Sequence, residues 1–128
     1  MDDTEDVVEA VSACRVDADA SAARLESLAA DLEETTVREQ TSRFGALSSE
    51  TRYRIVRYLA EAETELCVCE LTPLLSVSDS AVSHALSELV TVGLVTRRKE
   101  GRWRYYETTE TAEAMLAAAG EPATVTPR

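Results

Sequence analysis

Thiols are scarce in this chain, and two of its three stand with a single residue between them. The cysteines are Cys14, Cys67 and Cys69. A thiolate pair can capture a soft metal or metalloid ion, or it can be oxidised. An odd cysteine count behind an acidic start, MDDTEDVVEA, argues against a secreted disulfide framework and for reduced thiols in a cytoplasmic protein. Cys67 and Cys69 are also too close in sequence for an unstrained bridge. Metal binding or plain packing remain for them.

The second chemistry-bearing group is cationic. Arg97, Arg98, Lys99, Arg102 and Arg104 stand against one carboxylate, Glu100, within eight residues. Trp103, Tyr105 and Tyr106 are interleaved with them. Strand alternation puts Arg102 and Arg104 on one face and Trp103 and Tyr105 on the other. The aromatics would then anchor a hairpin whose cations lie along a phosphate backbone. A third group is a polar stripe at helical spacing, Ser80, Ser83, His84 and Ser87, flanked by Asp79 and Glu88. Short hydroxyls and an imidazole approach phosphates and base edges without repulsion.

The charge distribution gives the cations their meaning. The chain has 128 residues and a net charge of −11. Residues 1–40 hold twelve acidic side chains against three Arg, whereas residues 41–128 hold twelve against ten basic ones. A basic patch on so acidic a protein calls for an anionic partner, and a hairpin that merely maintains solubility fits its sign poorly. Double-stranded DNA is the expected partner. Lys99 is the only Lys, and an acidic, Lys-poor composition resembles that of proteins from salt-loving archaea, where salt screens carboxylate repulsion. No run of about 18 uncharged apolar residues could span a membrane. One His, no paired carboxylates in a recognisable cleft and no glycine-rich phosphate loop leave no catalytic constellation, so the chain is not expected to be an enzyme.

Positioning these groups requires a mainly helical fold with a small β-hairpin. Residues 4–34 lack Gly and Pro and read as one long helix. Val7, Val11, Cys14, Ala18, Ser21, Leu25, Leu28 and Leu32 form a heptad-like seam suited to a dimer interface. Gln40–Leu47 continues helically. Ser48 or Ser49 caps Glu50–Glu61, which buries Ile55, Val56 and Leu59. Glu65–Leu75 is short and carries the cysteine pair. Ser78 caps a helix from Asp79 to about Val92, with Val82, Leu86, Leu89 and Val90 inward and Gly93 ending it. Strands Leu94–Arg98 and Arg102–Glu107 join through Lys99-Glu100-Gly101, and Thr111–Ala119 closes as a helix. This order predicts a dimeric winged helix-turn-helix: an acidic dimerising arm over 1–36, a DNA-binding domain over 37–119 and a frayed tail over 120–128.

Glu65-Leu66-Cys67-Val68-Cys69-Glu70-Leu71 closely resembles the metal-binding box of the ArsR/SmtB family of arsenic- and metal-sensing repressors. The resemblance runs on through Ser78–Leu86, Gly93-Leu94-Val95 and the wing Arg98–Tyr106. It also takes in Phe44–Leu47 with Thr51–Ile55, and so covers roughly residues 40–110. It implies a homodimer that holds an operator and is released when As(III), Sb(III) or a soft divalent ion such as Cd(II) or Pb(II) binds, with no permanent cofactor. Carried over, Cys67 and Cys69 are ligands, Ser80, Ser83 and His84 lie on the recognition helix, and Arg98, Arg102 and Arg104 lie on the wing. Arsenic sensors often have a third Cys where this chain has Thr72. Cys14 of the partner subunit is a candidate replacement, against its reading as a small apolar residue in a helix interface. The family's second site, on the last helix, is absent, since Thr108–Ala119 holds only Glu110 and Glu113.

Residues i and i+2 of an α-helix point about 200° apart. Coordination by Cys67 and Cys69 is therefore expected to unwind or re-aim the start of their helix. Two alternatives stand beside this reading: a winged-helix regulator answering to thiol oxidation, and an interaction module whose wing grips an acidic protein.

Overall fold

The structure, a computed structural model, describes residues 18–120. It divides into two compact units between Glu39 and Gln40, where the sequence suggested a boundary near residue 36. Val7, Val11 and Cys14 of the expected seam lie outside the described residues, as does the tail beyond Gly120.

In the first unit, helix α1 spans Ala18–Asp31 and helix α2 begins at Glu34, running to Leu47 across the division. The expected single helix through residue 34 is therefore broken at Leu32-Glu33 without Gly or Pro. Glu33 acts as the start of a new helix: its carbonyl accepts from Val37 N–H at 3.0 Å, and its carboxylate accepts from the Thr36 hydroxyl at 3.3 Å. The β-branched run Thr35-Thr36-Val37 weakens a continuous helix at the same point. On α1, Ser21 and Ala22 are buried, whereas Leu25, Leu28 and Leu32 are exposed.

The second unit holds α3 (Glu50–Ala62), α4 (Val68–Leu71) with a 3-10 turn Thr72–Leu74, α5 (Asp79–Thr91), strands β1 (Val95–Glu100) and β2 (Trp103–Thr108), and α6 (Glu110–Ala119). Ser49 caps α3, its hydroxyl accepting from Arg52 N–H at 3.4 Å, and Ser78 caps α5 through Ala81 N–H at 3.1 Å. Gly93, at φ 80°, ends α5: Leu94 N–H reaches Leu89 O and Gly93 N–H reaches Val90 O. Those two bonds satisfy carbonyls that the helix end would otherwise leave open.

Ile55, Val56, Leu59, Leu71, Val82, Leu86, Leu89, Leu94 and Val95 fill one core beneath α3, α5 and the wing. Each such side chain contributes roughly 1.5–3 kcal/mol of burial before chain entropy is set against it. The expected stripes of α3 and α5 are thus the observed ones, save that Val90 is only half-buried. Pro73 stands in the first turn of the 3-10 segment, where its missing N–H has no partner to lose.

The hairpin departs from expectation in register. Its strands extend to Glu100 and from Trp103, leaving Gly101-Arg102 as the two-residue loop, with Gly101 at φ 62°. Arg102 therefore sits at the tip and not in a strand. Beyond β2, Leu66 exchanges both backbone hydrogen bonds with Tyr106, at 2.9 and 2.8 Å, so the residue before Cys67 pairs with the wing. Among the described residues, no helix is long and apolar enough to cross a membrane.

Candidate functional site

Cys67 is not a helical residue. It stands at the N-cap of α4 with extended backbone, φ −97° and ψ 168°, and its N–H donates to the Glu70 carboxylate at 3.0 Å. Cys69 lies one residue into the helix. An extended residue followed by a helical one turns the chain sharply, and the two Cα atoms come within 5.4 Å. That separation lies within the range a disulfide can span, and the structure joins Cys67 to Cys69 by one. One premise is corrected here: Cys67 and Cys69 do not both lie inside the helix. The 200° rule holds only inside a regular helix, and the pair straddles its boundary.

Cys67 is buried and Cys69 exposed, so the pair reaches from the interior to the surface. It opens into a cleft of about 380 Å³ whose other walls are Asp79, Ser83 and Ser87 of α5 and Arg102, Trp103, Arg104 and Tyr106 of the wing. The arrangement brings the predicted thiols, half of the predicted hydroxyl stripe and two wing arginines around one space. Among the described residues, no cluster of three or more His, Cys, Asp or Glu could hold an ion. Once reduced, the box offers two soft donors. Thr72, at the position of the absent third cysteine, turns its hydroxyl to the Val68 carbonyl at 2.9 Å.

The rest of the polar stripe lies outside the cleft. Ser80 and His84 are exposed on α5. His84 Nε2 lies 3.3 Å from Glu88, whose carboxylate is held by Arg52 at 2.6 Å. Arg52 also donates to the Ala46 carbonyl, so the ion pair fastens α2, α3 and α5 together.

On the wing, directly opposed residues share a face. Arg97 faces Tyr106 and Lys99 faces Arg104 on one side; Arg98 faces Tyr105 and Glu100 faces Trp103 on the other. The buried anchor is Tyr106, at 3 % exposure, while Trp103 is 53 % exposed and Tyr105 half-buried. This corrects the expectation that Trp103 and Tyr105 anchor the hairpin. Alternation separates two faces but does not say which one turns inward.

Arg98 differs from the other wing cations. Its Nε donates to both Glu65 oxygens at 3.0 Å, its Nη1 reaches Glu100 at 2.9 Å, and its guanidinium lies 5.0 Å over the Tyr105 ring. The two carboxylates push its pKa further above the usual arginine value. Arg97, Lys99, Arg102 and Arg104 make no ion pair among the described residues. Sequence reasoning missed Glu65, because a partner 33 residues away leaves no local pattern. It also missed an apolar groove of about 710 Å³ lined by Phe44, Leu47, Tyr53, Met115 and Leu116, with Phe44 67 % exposed.

A short helix, a turn, a longer capped helix and a basic hairpin docked on the same core define a winged helix-turn-helix protein. A family model described as "Bacterial regulatory protein, arsR family" matches residues 49–97. HlyU from Vibrio cholerae N16961 superimposes with a TM-score of 0.59 at 31% identity, covering 68% of this chain and 94% of that one. An ArsR-like transcriptional regulator from Rhodococcus sp. RHA1 does so at 0.55 and 32%, covering 66% and 78%. A Halobacterium salinarum protein described as an arsenical resistance operon repressor is 62% identical over 73 residues, 57% of each chain. The chain thus spans a little over half the length of that curated relative, whose source fits the acidic, Lys-poor composition. The chain belongs to the arsR family of regulatory proteins.

Proposed function

We propose that this chain is a transcriptional repressor of an arsenical resistance operon, acting in the cytoplasm. It holds operator DNA as a homodimer and lets go when As(III) or Sb(III), or a soft divalent ion such as Cd(II) or Pb(II), binds its thiolates. The observation that carries this reading is the shared cleft: Cys67 and Cys69 face Ser83 and Ser87 of α5 and Arg102 and Arg104 of the wing across one space. An ion there alters the surroundings of the same side chains that would meet phosphates, so ion and DNA oppose each other thermodynamically.

The wing supports DNA as the partner. Lys99 lies directly across from Arg104, and like charges so placed destabilise a hairpin. An anion that binds both offsets that cost. For the third thiolate that As(III) favours, Cys14 of the partner subunit is our candidate. A second copy is also our candidate cover for the exposed Leu25, Leu28 and Leu32 of α1 and, separately, for the groove beside Phe44.

The test is titration of the purified protein with As(III), Sb(III), Cd(II) and Pb(II) at molar salt, following thiolate absorption, mass by sedimentation and operator release together. Arsenite is expected to weaken operator binding at least about tenfold, within the usual range of allosteric coupling. Cys67→Ser and Cys69→Ser are expected to abolish that response. If both variants release DNA as the parent does, the thiolate switch is wrong.

The Cys67–Cys69 disulfide favours a second reading, in which the pair senses oxidants. Two thiols would give two electrons and two protons to a peroxide, whose O–O bond breaks to leave two waters, or one water and one alcohol, as the S–S bond forms. Operator release by peroxide with no response to any of the four ions would select this reading.

A further inference from the structure

We propose that Arg98 is a strut, not a DNA contact: with Glu65 it couples the state of the cysteine pair to the position of the wing. The inference rests on the thiolate reading above and adds the route by which the signal leaves the box.

An isolated two-stranded hairpin is marginal in water, so the wing's geometry is set by what ties it to the body. Two of those ties end on the two residues immediately before Cys67. Leu66 pairs with Tyr106 through two backbone hydrogen bonds, and Glu65 receives Arg98 through two contacts at 3.0 Å. On the other side of Cys67, its N–H is fixed by Glu70 at 3.0 Å. A change in sulfur geometry at this buried residue thus has two outlets, the short helix α4 and the Glu65-Leu66 segment bound to the wing.

Arg98 is poorly placed to serve DNA. Glu65 and Glu100 both lie against its guanidinium, and Tyr105 covers one plane of it. A phosphate would have to displace a carboxylate or approach two of them. Arg97, Lys99 and Arg104 occupy the opposite face of the hairpin.

The test measures operator affinity with and without arsenite, at molar salt, for the full-length parent, Glu65→Gln, Arg98→Gln and the double variant. In the absence of arsenite, each variant is expected to hold the operator within about threefold of the parent, with an unchanged salt slope, because no phosphate contact is lost. Arsenite should still bind, read by thiolate absorption. Its effect on operator affinity should shrink at least about fivefold in each single variant, and no further in the double, as for two residues acting as one unit. Two results overturn the proposal. One is an arsenite response in both variants equal to the parent's. The other is a loss of about tenfold or more in arsenite-free affinity for Arg98→Gln, with a shallower salt slope, alongside tighter binding by Glu65→Gln; that pattern makes Arg98 a phosphate contact. If the parent itself ignores arsenite, the thiolate reading fails first and takes the strut with it.

Discussion

The two faces of the wing carry similar residue types and opposite states of charge. On one, Arg98 is paired with Glu65 and Glu100 and stacks on the Tyr105 ring. On the other, Arg97, Lys99 and Arg104 crowd together beside Tyr106, with no carboxylate paired to them among the described residues. A count of cations treats all of them alike. Compensation separates them: a cation already holding two carboxylates stabilises the fold, while cations left facing one another cost stability that only an external anion offsets. On our proposal, that difference gives one face an architectural role and the other the contact with DNA.

The largest test acts on the residue both faces depend on. Tyr106 is buried, packs in the core and carries the bridge to Leu66. Tyr106→Ala should cost about 3 kcal/mol, typical of an aromatic core truncation, read as a shift in denaturant midpoint. Operator affinity should fall with it as the hairpin detaches. An unmoved midpoint would show that the wing is held elsewhere and that the division into faces has no structural basis.

Next in size, Lys99→Ala and Arg104→Ala should separate stability from binding. Each should weaken operator binding about tenfold and lower the salt slope by about one, as loss of a phosphate contact does. Each should also raise folding stability by a few tenths of a kcal/mol, because the opposed cation is relieved. If stability falls instead, the two side chains are serving the fold, and the contrast between the faces collapses.

Much of this was legible in the sequence, for reasons that can be named. Ser49 and Ser78 precede apolar stripes at helical spacing, and Gly93 and Gly101 stand where the chain needs positive φ. Those are local signals, and the helices and the hairpin followed from them. The misreadings have two causes: a local break with no glycine or proline signal, and deciding partners that lie far along the chain. The break at Leu32-Glu33 has no glycine or proline to announce it and depends on Glu33 gathering Val37 and Thr36. Strand alternation made Trp103 and Tyr105 the expected anchors, whereas the core takes Tyr106. Cys67 and Cys69 looked divergent because a helix was assumed through both, whereas the pairing of Leu66 with a strand 40 residues later holds the backbone extended up to the cap. The cysteine motif was readable in its chemistry but not in its geometry.

The smallest expected effect bears on Trp103, the residue that alternation alone would have made an anchor. It lies opposite Glu100 at the start of β2, 53 % exposed, at the rim of the cysteine cleft. Exposed positions of this kind usually change stability by no more than about 0.5 kcal/mol, so Trp103→Ala should leave the denaturant midpoint almost unmoved. Its place at the rim makes the only tryptophan of the chain a reporter as well. In the parent, its emission should change when arsenite enters between the thiols and the wing, and in Cys67→Ser it should not. A loss of stability approaching that of Tyr106→Ala would mean that the hairpin is pinned at its tip as firmly as at its base. The wing would then move as one rigid body with the core, leaving Glu65 and Arg98 nothing to steer.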